Sequence, residues 1–186
     1  MKKRIVLFAM AFLLATGSCF AASMVTKLTV DLDGQVLYNE NPDNSTKIEP
    51  GVSLGADLIF TRTPSAELGL GVEYQKERPL GNRKIQFIPI YGFMNYHGSS
   101  SSWRRGTQPY FSGRFGYSQF YGPNSGSSYY QSEGGLYYSL GLGINFQDQF
   151  RVEVNYSSCS GQEKMSSVAV TQYTYNRTSV SFGIAF

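Results

Sequence analysis

Charge is scarce in this chain, and lysine most of all. Charged residues make up 16% of the sequence. Beyond residue 21 the only lysines are Lys27, Lys47, Lys76, Lys84 and Lys164, and each falls at a strand end or in a connector. No basic cluster exceeds Arg104-Arg105, so there is no nucleic-acid footprint. Histidine occurs once, at His97, and Cys159 is the only cysteine after the leader. One histidine and one cysteine far apart give no metal-ligand cluster, and one thiol excludes an intramolecular disulfide. Only one long apolar run is present, and no second stretch reaches the ~20 residues a membrane helix needs.

That run opens the chain. Lys2, Lys3 and Arg4 precede eleven apolar residues, Ile5 to Ala15, and small residues follow at Thr16-Gly17-Ser18-Cys19-Phe20-Ala21-Ala22. A positive start, a short apolar run and a small-residue exit predict a cleaved secretory signal peptide over 1–21. Thr16 stands where a lipid-attachment motif has Leu, so Cys19 reads as part of the leader. Three of the 16 basic residues lie in this segment, which leaves 13 basic against 13 acidic residues in 22–186. The basic isoelectric point is therefore partly a feature of the leader. Residues 22–186 are of a length for one domain.

The mature chain alternates with period two, the signal of half-buried strands. Eight segments carry it. Leu28, Val30 and Leu32 alternate with Thr29, Asp31 and Asp33. Val52, Leu54, Ala56, Leu58 and Phe60 alternate with Gly51, Ser53, Gly55 and Asp57. Leu68, Leu70, Val72 and Tyr74 stand against Glu67, Gly69, Gly71 and Glu73. The fourth segment, Ile85 to Tyr96, is apolar on both parities, and its faces stay open. Phe111, Phe115 and Tyr117 oppose Tyr110, Ser112, Arg114 and Gly116. The sixth runs Leu136, Tyr138, Leu140, Leu142, Ile144, Phe146 against Tyr137, Ser139, Gly141, Gly143, Asn145. Phe150, Val152, Val154 and Tyr156 oppose Arg151, Glu153 and Asn155. Val180, Phe182, Ile184 and Phe186 oppose Ser179, Ser181, Gly183 and Ala185.

Connectors divide into short ones (Thr61 to Ser65, Gln147 to Gln149) and longer polar ones (Asn39 to Lys47, Gly122 to Gly134, Ser157 to Val168). Glu77 to Arg83 and Gly98 to Thr107 depart from strict alternation of the two classes. Short turns at one end and long loops at the other are the asymmetry of an outer-membrane barrel. Pro89 cannot donate to a ladder, so a bulge or local irregularity is expected in the fourth strand.

Alternation does not say which face is wet. A soluble lipocalin-like barrel turns its apolar face inward, and a membrane barrel turns it outward. The polar face here is Gly, Ser and Asn with a few charges, poor for a soluble surface and suited to a narrow lumen. The apolar face carries Phe60, Phe146, Phe150 and Phe186 toward one end and Tyr38, Tyr74, Tyr138 and Tyr156 toward the other, as in two interfacial girdles.

The final segment, Val180, Phe182, Ile184, Phe186, looks like the recognition signal read by the barrel-assembly machinery. With the Gln108–Tyr117 run it resembles the small eight-stranded outer-membrane barrel superfamily, which includes the OmpX-like proteins and the OmpA transmembrane domain. The resemblance implies an all-β, eight-stranded antiparallel up-and-down transmembrane β-barrel in the outer membrane of a Gram-negative cell. It also implies contact with membrane lipid and lipopolysaccharide. Splitting the two long connectors differently would give ten strands.

On the lumen face the expected charge network is Asp57, Glu67, Glu73, Arg114, Arg151, Glu153 and Arg177, paired because an unpaired buried charge is costly. An eight-stranded interior is largely filled by side chains, which favours a static plug over a gate. Small barrels that modify lipid A use a His beside a Ser. His97, at the end of strand four near Ser99 to Ser102, forms no His-x-Ser element and reads as a turn residue. No enzyme activity, cofactor or metal is expected. Tyr129-Tyr130, with Tyr173 and Tyr175, place aromatics in Gly/Ser-rich external loops suited to a host or envelope protein, and Cys159 reads as a free thiol in the fourth loop. The favoured function is a non-enzymatic structural or surface-interaction role. A narrow ion pore, a lipid A-modifying enzyme and a soluble lipocalin-like binding barrel are the other readings.

Overall fold

The computed structural model describes residues 23–39, 41–98, 106–124, 129–147, 149–165 and 169–186. The leader 1–21, Cys19, Ser99 to Ser102 and Arg104-Arg105 lie outside the described residues. The strands are β1 (Ser23–Tyr38), β2 (Asn41–Lys47), β3 (Val52–Arg62), β4 (Ala66–Gln75), β5 (Arg78–Leu80), β6 (Arg83–His97), β7 (Thr107–Tyr121), β8 (Tyr130–Phe146), β9 (Phe150–Met165) and β10 (Ala169–Ala185).

Eight of them form one antiparallel ring in the order β1, β3, β4, β6, β7, β8, β9, β10. Closure comes from the first and last members, which pair from Val25↔Ala185 to Tyr38↔Tyr173. The strands β2 and β5 stand outside the ring, each folded back on a neighbour as a short hairpin arm. The ring therefore has eight strands; of the two extra strands, β2 arises in the long connector Asn39 to Lys47 and β5 in the short one, Glu77 to Arg83.

Side-chain direction settles which face is wet. Leu54, Leu70, Ile90, Phe115, Leu140, Leu142 and Phe182 are exposed on the outside, while Ser112, Ser139, Ser157, Ser179, Arg114 and Arg177 are buried inside. Left in water, each large apolar side chain would forgo roughly 1.5–3 kcal/mol of burial free energy. A belt of this kind suits a hydrocarbon solvent and rules out the lipocalin-like arrangement. Phe60, Phe146, Phe150 and Phe186 crowd the end that bears the termini, as the girdle reading expects. In the fourth predicted segment, now β6, the odd residues Phe87, Tyr91, Phe93, Asn95 and His97 turn inward, and Ile90, Met94 and Tyr96 turn outward.

Several expectations are corrected. The polar tracts 130–134 and 157–165 belong to β8 and β9, which pair from Tyr130↔Met165 to Gly134↔Gly161. Alternation fades there because both faces are polar, while the ladder runs on. A bulge between Asp31 and Asp33 flips the parity of β1, so Asp33 points outward and Gly34 turns inward. Around Pro89 the β6–β7 register is unbroken, with Pro89 opposite Ser118. The irregularity lies on the other side of the strand, where the β4–β6 ladder stops at Val72↔Ile90. Tyr38, expected in the outer girdle, packs inward against Tyr173 with ring centroids 5.6 Å apart.

Close strand approach depends on particular glycines. A Cβ on Gly116 would sit 2.1 Å from the Ile90 carbonyl oxygen and 2.6 Å from Tyr91 Cα, both backbone atoms that cannot rotate away. Gly116→Val therefore forces the β6–β7 pair apart, a packing penalty of roughly 1–3 kcal/mol. On unboiled SDS gels the native protein should migrate as a compact species that shifts on boiling. The Gly116→Val protein should show a lower compact fraction and a lower urea midpoint; an unchanged midpoint would contradict this account of the wall.

Candidate functional site

The inner face is stacked in three charged layers under an apolar cap. Because residues of one parity point inward, each layer draws its members both from neighbouring strands and from strands across the barrel.

The layer nearest the termini centres on Glu67. Arg151 grips it with both terminal nitrogens at 2.7 and 2.8 Å, and Arg62 Nε lies 2.9 Å away. Asn95 Nδ2 donates to the same carboxylate at 3.2 Å, and His97 Nε2 is 3.7 Å off. His97 is thus corrected from a turn residue to a buried lumen residue, 4% exposed, beside the Tyr110 ring. Its Nδ1 has no hydrogen bond, and among the described residues no serine or cysteine side chain bonds to it.

In the middle layer Arg114 clamps Glu153 at 2.5 and 2.8 Å, and Tyr110 Oη donates to Glu153 at 3.1 Å. Asp57 is paired with Lys27 at 2.6 Å and accepts from Tyr91 Oη at 2.9 Å. Lys27, expected at a strand end, is a buried lumen cation inside β1. Its odd parity matches Thr29 and Asp31, a signal present in the sequence once the strand is begun at Ser23.

The third layer binds Asp31, Glu73 and Arg177. Arg177 Nη1 reaches Asp31 Oδ1 at 2.8 Å and Ser53 at 2.9 Å, its Nε donates to Ser157 at 3.1 Å, and its Nη2 bonds Glu73. Asp31 also takes Arg78 at 2.5 Å and the Tyr175 hydroxyl at 3.0 Å. Arg78 comes from β5, outside the ring, so the hairpin arm sends a buried guanidinium into the barrel. A Cβ on the facing Gly51 would overlap that side chain.

Of the seven residues expected in the lumen network, six pair among themselves as Glu67–Arg151, Arg114–Glu153 and Arg177–Glu73. The seventh, Asp57, pairs with Lys27 instead. Sequence reasoning missed Lys27, Asp31, Arg62, Arg78 and His97. Arg78 leaves no alternation signal, because it enters from a connector.

The cap is apolar, which the polar parity pattern does not suggest. At the end away from the termini, Val36, Ile48, Ile85, Phe87, Phe120, Tyr173 and Tyr175 form a buried cluster. Phe87 lies 4.9 Å from Phe120 and 5.8 Å from Tyr175, and Phe120 lies 5.1 Å from Tyr173. Gly161 makes room for it, since a Cβ there would meet Phe120 Cγ at 2.4 Å. Tyr173 and Tyr175, expected as loop aromatics, are therefore cap residues. Cys159 is likewise corrected: it lies inside β9, fully buried, with Gln75 Nε2 3.8 Å from its sulfur. Among the described loop aromatics named from the sequence, Tyr129 remains open to solvent.

Space between the lower layers is minimal. The void bounded by Lys27, Asp57, Arg114, Arg151 and Glu153 has a volume of about 10 Å³, near the lower limit for one water molecule. Beyond the cap, the hairpin of β8 and β9 carries Glu133, with Lys164 Nζ at 2.9 Å and Gln162 Nε2 at 2.6 Å. The hydrogen bond from Lys164 holds the Glu133 carboxyl below its usual range, helped by Gln162.

Solved structures share the fold of this barrel. The crystal structure of Neisserial surface protein A (NspA) aligns over 90% of this chain and 100% of its own, at 14% identity and a TM-score of 0.54. The chain has the fold of a small outer-membrane β-barrel. The barrel also aligns with the outer membrane protein AlkL, solved in DMPC lipid bilayers, over 89% of this chain and 90% of that one, at 12% identity and a TM-score of 0.50. The outer membrane enzyme PagL aligns over 85% of this chain and 98% of its own, at 13% identity and a TM-score of 0.46. No protein-family model matches the chain, and no curated protein matches it. At these identities the likeness concerns the fold, and activity must be argued from the site.

Removing one partner of a buried pair leaves an uncompensated charge and costs about 3–5 kcal/mol. Arg114→Leu should lower unfolding stability by that order in urea titrations followed by gel migration. Arg114→Leu with Glu153→Leu should recover most of the loss. A double variant no more stable than the single one would mean that the pair is not what stabilises the middle of the lumen.

Proposed function

We propose that the mature chain, 22–186, is exported by the leader 1–21 and inserts in the outer membrane of a Gram-negative cell. There it serves a non-enzymatic structural or surface-interaction role through its external connectors. The observation that carries this reading is the closed interior. Three layers of paired charge and an aromatic cap fill the lumen. What the barrel offers to partners is then its outside. An apolar belt meets lipid and lipopolysaccharide acyl chains, and the far end presents Tyr129 and the Glu133–Lys164 pair. An exposed aromatic and a paired polar couple at that end suit contact with a host or envelope protein.

On this reading the termini lie on the periplasmic side. The outward parity of Val180, Phe182, Ile184 and Phe186 presents the C-terminal strand to the barrel-assembly machinery. Phe182, Ile184 and Phe186 are exposed on that face, so a receptor could read them without unfolding the ring.

Tyr129→Ser with Tyr130→Ser should weaken binding of expressing cells to a panel of matrix and serum proteins, with compact gel migration unchanged. If loop variants of every connector leave binding and envelope integrity untouched, the surface role is lost. In planar bilayers the pure protein should give no discrete conductance steps. Reproducible steps that vanish in the Arg114→Leu variant would replace this proposal with an ion pore.

A further inference from the structure

Where the two lower ion layers meet, three buried side chains each keep one polar atom without a partner among the described residues. These atoms are Arg114 Nε, Arg151 Nε and Asn95 Oδ1, on residues 6%, 6% and 3% exposed. The rest of each side chain is spent. Arg114 gives its terminal nitrogens to Glu153, and Arg151 gives its own to Glu67. Asn95 Nδ2 donates to Glu67, which also fixes the amide: a flip would turn Oδ1 against the carboxylate. The three atoms are thus what strong pairs leave over, and buried polar groups of this kind normally find a partner.

All three residues line one space, the void of about 10 Å³ between the layers. Lys27 lines it as well. An ammonium has three N–H donors, and Asp57 and the Tyr91 hydroxyl take two of those on Lys27.

Size and chemistry together select the occupant. A buried water needs a polar site with two to four partners and ~10–15 Å³ of room. Two N–H donors and one carbonyl oxygen match a water that accepts twice and donates once. A halide is wider than a water molecule and would face the Asn95 oxygen. A metal cation would face two guanidinium groups. An apolar atom would leave all three polar atoms as they are.

We propose that the void is a binding site for a single water molecule, which accepts from Arg114 and Arg151 and donates to Asn95. The site joins two layers that are otherwise separate pairs. Arg151 braces β9 to β4 through Glu67, and Arg114 ties β7 to β9 through Glu153. The water oxygen is the negative pole that the two cations share. The site concerns the lumen alone and is independent of any surface role.

The test uses the native protein, ¹⁵N-labelled and folded in detergent micelles, with water-selective NOE and ROE spectra read at the arginine Nε–H signals. Arg114 and Arg151 should both show cross-peaks to water of opposite sign in the two spectra, the mark of a held water rather than of proton exchange. Gly183 lines the same void, and a Cβ there would stand 3.0 Å from Val25 Cγ1 and 3.5 Å from Arg151 Cβ. In Gly183→Ala both cross-peaks should therefore be lost. Native spectra without water cross-peaks at either Nε–H would overturn the site, whether or not the variant folds. Cross-peaks that persist in folded Gly183→Ala would overturn its placement. An anomalous peak in the void of crystals grown in sodium bromide would replace the water with a halide.

Discussion

Every backbone N–H and C=O that faces hydrocarbon must find a partner within the chain, and a sheet meets that demand only by closing on itself. Here closure rests on the β1–β10 ladder, which runs from Val25↔Ala185 to Tyr38↔Tyr173. Once the ring is shut, the two parities have fixed environments. One face meets lipid, and the other meets a lumen too narrow for bulk water. Ion pairs, aromatic cap and glycine contacts are all answers to that confinement.

The filling of the lumen follows from its two ends. Near the termini and at mid-height, arginines are clamped by carboxylates and phenols, with almost no free volume between them. At the far end the same inward parity switches to Phe87, Phe120, Tyr173 and Tyr175. A static interior of this kind directs attention to the outer surfaces. Fold likeness at 14% identity to a surface protein says how the chain is built. The chemistry of those surfaces has to say what it does.

Much of this was legible in the sequence, and the limits have physical causes. Alternation located the eight ring strands because each crosses from lipid to lumen at every residue. It failed where that contrast fades. In 157–165 of β9 both faces are polar, so a paired strand reads as a loop. In β6 the inward residues near the far end are as apolar as the outward ones, so its faces could not be told apart. Lumen charges carried by strand parity, such as Arg114 and Glu153, were visible. Arg78 was not, because it arrives from a hairpin arm and owes its place to Asp31 and Tyr175 across the barrel. The bulge at Asp31/Asp33 also escaped notice, since one extra residue changes parity without changing composition.

The layered charges carry a consequence for how strands find their register. A slip of one residue would turn an apolar face into the lumen, and hydrophobicity alone forbids it. A slip of two residues is different. It preserves the alternation and can preserve the ladder, so lipid and backbone both accept it. What changes is height, by about 6.6 Å along the strand. That displacement would carry Glu67 on β4 out of reach of Arg151 on β9, which it now meets at 2.7 Å across the barrel. The ion pairs thus act as a vernier for assembly, reading the even-numbered errors to which the hydrophobic pattern is blind.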